Sequence, residues 1–190
     1  MRLERASVKA VKYAIMNWHY SKAVPMVQIA YAVFNVRKKW CGVICYSIGA
    51  NSHISSQFGL PNGKVIELVR VALNGHQSST SKALSISLKL ICKDAPNVKL
   101  IVSYADTEQG HKGTIYQATN WYYIGDSIHH HHEHIETGEF LHNRVYSELD
   151  KTKKALYRTK KSKPKHKYIY PIDKSLIPMC KELAKPYPKK

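Results

Sequence analysis

Five groups of polar residues have side chains suited to chemistry, most of them at strand ends or in the loops that leave them. His19-Tyr20 follows a run with helical spacing, and Arg70 stands inside an apolar strand. Ser81 opens a helix, where unpaired backbone N–H groups can hold an anion. Ser103 and Asp106 leave a nearly all-apolar strand, and Tyr116 lies on a short helix beyond Gly110 and Gly113. Domains that alternate strands and helices place their sites in such loops at strand ends. Plainer readings exist for each residue. His19 can be a boundary residue, Arg70 an ion-pair partner of Glu67 or Asp106, Tyr116 a packed ring and Asp106 a loop cap. Their combination points to a site.

The elements that must position them follow from hydrophobic periodicity. Val8, Val11, Ile15 and Trp18 recur at helical spacing over residues 6–18. The β-branched and aromatic runs Val27–Val36 and Trp40–Ile48, joined by Arg37-Lys38-Lys39, predict an antiparallel hairpin. Residues 49–64 read as a loop and Val65–Leu73 as a strand. Ser78–Ser81 offers N-caps for a helix through Lys93, with Leu84, Leu88 and Ile91 on one stripe. Val98–Tyr104 predicts a buried central strand. After it come a short helix over Thr114–Thr119, a strand at Trp121–Ile124, a histidine-rich loop at Ser127–His134, a strand at Phe140–Tyr146 and a helix at Ser147–Tyr157. Tyr168–Ile172 and Ser175–Leu183 read as a weaker strand and helix. This order predicts an α/β domain with a mixed central sheet flanked by helices.

Charge separates the chain into two parts. Residues 1–150 carry 16 basic and 11 acidic side chains, a net of +5, whereas residues 151–190 carry 14 and 2, a net of +12. A nearly balanced catalytic domain over 1–150, followed by a basic segment over 151–190, is therefore expected. Lys153, Lys154, Arg158, Lys160, Lys161, Lys163 and Lys165 suit the phosphate contacts of a nucleic acid, which is favoured over a membrane surface. The run His129–His132 with His134 reads as a solvated loop that can join such contacts. Four consecutive histidines cannot all face one metal ion, although a ligand source is the alternative. No apolar run reaches the roughly 18–20 residues that span a bilayer, and the first residues lack the form of a signal peptide. Cys41, Cys45, Cys92 and Cys180 form no CxxC pair, so reduced thiols and a cytoplasmic setting are expected. Nothing in the sequence specifies an oligomeric state.

A longer pattern is specific. Val65–Leu73 with Ser81-Lys82, the His19-Tyr20 pair and the stretch Leu100-Ile-Val-Ser103-Tyr-Ala-Asp106-Thr-Glu-Gln-Gly110-His111-Lys-Gly113-Thr-Ile-Tyr116-Gln-Ala-Thr-Asn-Trp121-Tyr-Tyr-Ile-Gly125 resemble the Mom family of bacteriophage DNA-modification proteins, over roughly residues 10–146. The resemblance implies a GNAT-type N-acetyltransferase fold. It also implies conversion of the adenine N6 amine in DNA to a carbamoylmethyl-type adduct that protects the DNA from host restriction, in the cytoplasm of a bacterial host. On that reading Asp106 takes or positions the amine proton and Tyr116 donates to the leaving group, with Ser103 beside them. Arg70, Ser81 and Lys82 hold the anionic part of a donor, acyl-CoA or another, and His19 and Tyr20 line the base pocket. His19, Tyr20 and Asp106 are also the implied oxygen and nitrogen ligands for iron. One departure is the loop Asn74–Ser81, where hydroxyls replace the second glycine of the usual pyrophosphate loop. The alternatives are an acyl-CoA-dependent N-acetyltransferase acting on a protein or small-molecule amine, and a non-catalytic basic DNA-binding module.

Overall fold

A computed structural model describes residues 1–48, 54–128 and 130–188, with 142–144 described in backbone only. The chain opens with strand β1 (Arg2–Arg5) and helix α1 (Val8–Trp18). Ser7 caps α1, its hydroxyl accepting from the Ala10 N–H at 3.2 Å. Val11, Ala14 and Ile15 are buried, while Val8, in the first turn, remains exposed. The expected hairpin is β2 (Ile29–Phe34) and β3 (Trp40–Ser47), followed by β4 (Val65–Leu73). Helix α2 (Thr80–Asp94) buries Leu84, Leu88 and Ile91, each worth roughly 2 kcal/mol of transfer free energy. Then come β5 (Leu100–Asp106), α3 (Thr114–Gln117) and β6 (Tyr122–Ser127). The remaining elements are β7 (His130–His134), β8 (Phe140–His142), α4 (Asn143–Glu148), α5 (Lys151–Lys154), β9 (Tyr157–Lys161), β10 (Lys165–Pro171) and α6 (Ile177–Leu183).

Seven strands form one mixed sheet in the order β1-β2-β3-β4-β5-β10-β6. Helix α2 covers one face, with Tyr116, Trp121 and Tyr168 in the same buried cluster. Helix α1 packs over the β2–β4 part of the other face, and α6, through Cys180, over β5 and β10. The expected α/β class is therefore observed, with helices on both sides of the sheet. β4 and β5 are parallel, and their ladder covers only Val65–Glu67 against Leu100–Val102. Both strands continue past that point, β4 paired with β3 through Leu73 and β5 paired with β10 through Asp106. They must therefore separate, and a fork opens between them at their C-terminal ends.

Three expectations need correction. Part of the histidine-rich segment is a strand rather than a loop: β7 pairs with β8 and β9 in a second sheet of order β8-β7-β9, and His132 is buried. His129 and residues 49–53 of the expected loop lie outside the described residues. The strand expected over 140–146 stops at His142 and becomes α4, and Tyr157, expected to end a helix, opens β9. The basic segment is not a single appendage. Its Tyr168 and Ile169 are fully buried because β10 inserts between β5 and β6, which gives the sheet two more antiparallel ladders. Cys41, Cys45, Cys92 and Cys180 are free thiols. Among the described residues no helix is long and apolar enough to cross a membrane.

Candidate active site

The root of the fork is closed by side chains. Where the β4–β5 ladder stops, Ser103 Oγ lies 2.9 Å from the Leu68 carbonyl and 2.8 Å from the Tyr116 hydroxyl. A carbonyl only accepts, so the serine proton goes to Leu68 and the tyrosine donates to the serine oxygen. Tyr116 is 7% exposed, and burial pushes its phenol up to about 12. Neither hydroxyl is free, and the pair joins α3 to both arms of the fork.

At the mouth stands Asp106, the last residue of β5 and itself 7% exposed. Its Oδ1 accepts from the Glu108 N–H at 3.1 Å. Its Oδ2 accepts from the Tyr20 hydroxyl at 3.1 Å and lies 3.3 Å from the Lys165 ammonium, on the residue directly opposite in β10. Burial alone would raise this carboxyl, yet Lys165, the Glu108 N–H and Tyr20 together hold it below the usual carboxylate range. Asp106 is therefore an ionised proton acceptor at neutral pH. Tyr20 is pushed up to about 12, first by burial of its hydroxyl and then by the Asp106 charge, so it stays a donor.

The loop after α1 brings in the imidazoles. His19 stacks on Tyr20 with ring centroids 4.3 Å apart, and His111 meets Tyr20 edge-on at 5.7 Å. Burial, followed by repulsion from Arg70 and His111, lowers His19 to about 4, so it is neutral at physiological pH. The loop is tied down by Arg70, whose terminal nitrogens donate to the carbonyls of Val69 at 2.7 Å and Ala23 at 3.3 Å. Arg70 was expected to grip an anion bidentately. Its bonds to the two carbonyls use one N–H of each terminal nitrogen, and the buried Nε has no hydrogen-bond partner.

The implied iron ligands do not fit an ion. Tyr20 keeps its proton and gives it to Asp106, and both Asp106 oxygens are engaged. His19 Nδ1 bonds Ser21 Oγ at 2.9 Å, and among the described residues no three His, Cys, Asp or Glu side chains form a group that could hold a metal.

Ser81 and Lys82 occupy the first turn of α2, which follows β4 on the sheet edge that carries the mouth of the fork. The cap is Ser79, whose hydroxyl accepts from the Lys82 N–H at 3.2 Å and lies 3.0 Å from Ser81 Oγ. The basic residues divide. Lys165 turns to Asp106; Arg158 and Lys160 pair with Glu133 on β7; Lys154 donates to the Ser147 carbonyl; Lys153, Lys161 and Lys163 are exposed. The structure thus brings His19, Tyr20 and Asp106 together, places Ser103 and Tyr116 at the fork root, adds His111 from outside the expected set, and gives Lys165, expected at a phosphate, the role of Asp106's counter-ion. The loop Gly110–Gly113 was the available signal for His111.

The chain and its fold have known relatives. The chain matches the Mom protein family over residues 1–189. It is similar to the methylcarbamoylase mom of Escherichia phage Mu, with 32% identity over 130 residues covering 66% of this chain and 54% of that protein. The chain thus aligns with about half the length of that relative. Its fold is similar to a variant of spermidine N-acetyltransferase SpeG from Vibrio cholerae, with a TM-score of 0.52, 9% identity, and coverage of 94% and 99% of the two chains. A Bacillus subtilis acetyltransferase in complex with CoA gives a TM-score of 0.51 at 12% identity, covering 90% and 97%. At such identities the likeness concerns the fold, which is that of the GNAT acetyltransferases.

Proposed function

We propose that this chain, which belongs to the Mom protein family, is a transferase that modifies the N6 amine of adenine in double-stranded DNA with a carbamoylmethyl-type group. The observation that carries the reading is the ionised, nearly buried Asp106 at the mouth of a fork in an acetyltransferase-type sheet. An adenine N6 amine is a weak nucleophile because its lone pair is delocalised into the ring, so a fixed carboxylate that accepts its proton makes attack easier. The amine also lies in the base stack, so the base must be extruded to reach the fork.

Each side chain then has a task. Asp106 takes the amine proton, and Tyr20 and Lys165 hold its carboxylate in place. Neutral His19, stacked on Tyr20, lines the base pocket with His111. Tyr116 supplies the leaving group with the proton it otherwise gives to Ser103, so that hydrogen bond breaks in the step. The first turn of α2, with Ser81 and Lys82, faces the anionic part of an activated donor. A carbamoylmethyl group is joined to N6 through its CH2 carbon, so its donor must carry a leaving group on that carbon. An acyl-CoA-type donor, suggested by the fold and by the CoA carried by the Bacillus subtilis acetyltransferase, would instead join a group of the same mass through its carbonyl and release CoA thiol. Exposed lysines of the basic segment hold phosphates, and the adduct shields DNA from restriction in a bacterial host cell.

The test is mass spectrometry of nucleosides from plasmid DNA recovered after expression of the chain in bacteria. A deoxyadenosine heavier by a carbamoylmethyl group is expected. A different added mass on adenine would change the donor and keep the substrate. Unmodified DNA alongside acetylation of a protein or small-molecule amine would replace this function with that of an ordinary N-acetyltransferase.

A further inference from the structure

The small sheet β8-β7-β9 has two unlike faces. One face is packed: Tyr146 of α4 stacks on His132 with centroids 3.4 Å apart, Thr159 Oγ1 lies 3.1 Å from His132 Nδ1, and Tyr157 meets His134 edge-on at 5.0 Å. The other face is open. Register places Phe140 and Arg158 opposite Glu133, and Lys160 opposite His131, so these five side chains share it. Phe140 is 60% exposed, with its ring centroid 5.0 Å from that of His131. The side chains of Arg158 and Lys160 are 55% and 44% exposed, although both touch Glu133. Glu133 offsets one of the two positive charges and fixes the spacing of the cations, which stay about half exposed.

An exposed aromatic ring beside cations is a poor arrangement for solubility and a good one for a nucleic acid strand. A base stacks on the ring whatever its sequence, while guanidinium and ammonium groups take the phosphates. The position of this face is equally telling. β9 passes through Ser162-Lys163-Pro164 into Lys165, opposite Asp106. The four steps from Lys161 to Lys165 span roughly 14 Å at most. Thr107, the residue after Asp106, donates its hydroxyl to the Pro164 carbonyl and so ties this link to the candidate site. A strand lying on the small sheet is thereby led toward the mouth of the fork.

We infer that the open face of the small sheet holds a DNA strand with one unstacked base on Phe140 and its phosphates on Arg158 and Lys160. This rests on the DNA reading above and adds to it a surface that stabilises the disrupted stack that base extrusion requires. The stacking contribution is separable from the chemistry, because Phe140 lies on a different sheet from Asp106.

The experiment measures binding of the full chain to two short duplexes, one fully matched and one carrying an unpaired fluorescent adenine analogue. The wild type is expected to bind the second duplex more tightly and to quench the analogue. Phe140→Leu keeps an apolar side chain at an exposed position and should fold normally. It is expected to lose about tenfold or more in affinity for the second duplex, together with the quenching, because one base–aromatic stack is lost. Phe140→Trp is expected to retain both, and affinity for the matched duplex should stay unchanged. If the wild type binds DNA and Phe140→Leu matches it in affinity and quenching, the stacking surface is refuted and the DNA reading stands. If the wild type binds neither duplex, the DNA reading falls and this inference falls with it.

Discussion

Two carboxylates in this molecule meet lysines across antiparallel strands, and their surroundings differ. Asp106 on β5 faces Lys165 on β10, is 7% exposed and also accepts from Tyr20 and the Glu108 N–H. Glu133 on β7 touches Arg158 and Lys160 on β9, and its side chain is 20% exposed beside partners that are 55% and 44% exposed. At the fork, few water molecules compete, so the ion pair sets the carboxylate's position and its readiness to take a proton. On the small sheet, solvent and salt screen the same kind of contact, and the cations stay available to a polyanion. The same pairing serves chemistry in one place and binding in the other, and burial decides which.

Replacing each lysine tests that contrast most strongly. Lys165→Met is expected to lower stability by about 1–2 kcal/mol, a figure reduced for the side chain's partial exposure, whereas Lys160→Met should cost less than about 1 kcal/mol. Chemical denaturation of the two variants checks this, and equal losses would erase the distinction. The pH dependence carries the same sign. Because Asp106 is held below its ordinary value, its contribution is present above the usual carboxylate range and is lost as pH falls through its depressed folded value. Lys165→Met should shrink that acid-side loss, and Lys160→Met should leave it nearly unchanged.

A smaller effect is expected at the fork root. Tyr116→Phe removes one buried hydrogen bond but leaves Ser103 bonded to Leu68, so about 1 kcal/mol of stability should be lost, visible as a modest fall in Tm. The same variant should slow modification of DNA if Tyr116 supplies the leaving-group proton. Smallest in stability is the combined variant Arg158→Gln, Lys160→Gln, Lys161→Gln, expected within about 0.5 kcal/mol of wild type. Its effect belongs to binding: the slope of log affinity against log salt should become shallower by about 2 to 3. A slope that does not move would remove the small sheet from the DNA surface.

Much of the large sheet was legible in the sequence because its signals are local. The runs at β2, β3 and β4 are rich in β-branched and aromatic residues, and the serines before α2 announce its start. The small sheet was legible only at β8, which opens the strand expected over Phe140–Tyr146. In β7, histidines fill both faces, so no alternation marks which side is buried until β8 and β9 supply Leu141 and Thr159 as partners for His132. The later half of β10 was expected as a strand over Tyr168–Ile172, whereas its start was masked by Lys165, His166 and Lys167, which read as basic segment although they precede the fully buried Tyr168 and Ile169. At the site, Asp106, Tyr116 and the His19-Tyr20 pair stood out by type and position. The bond from Tyr20 to Asp106 joins residues 86 apart, and Lys165 reaches Asp106 through strand register, a property of pairing that no local pattern encodes. Arg70 stood out by its charge, while its bond to the Ala23 carbonyl, which ties down the loop after α1, spans 47 positions and has no local signal.

The most direct test of the division between chemistry and binding measures wild type and Asp106→Asn side by side, for modified deoxyadenosine in plasmid DNA and for affinity to DNA at fixed salt. Loss of a positioned general base should slow modification by about 10²–10⁴-fold, which leaves essentially unmodified DNA, while affinity stays at the wild-type value. Wild-type levels of the adduct from Asp106→Asn would contradict the account, and so would loss of DNA binding by the same variant.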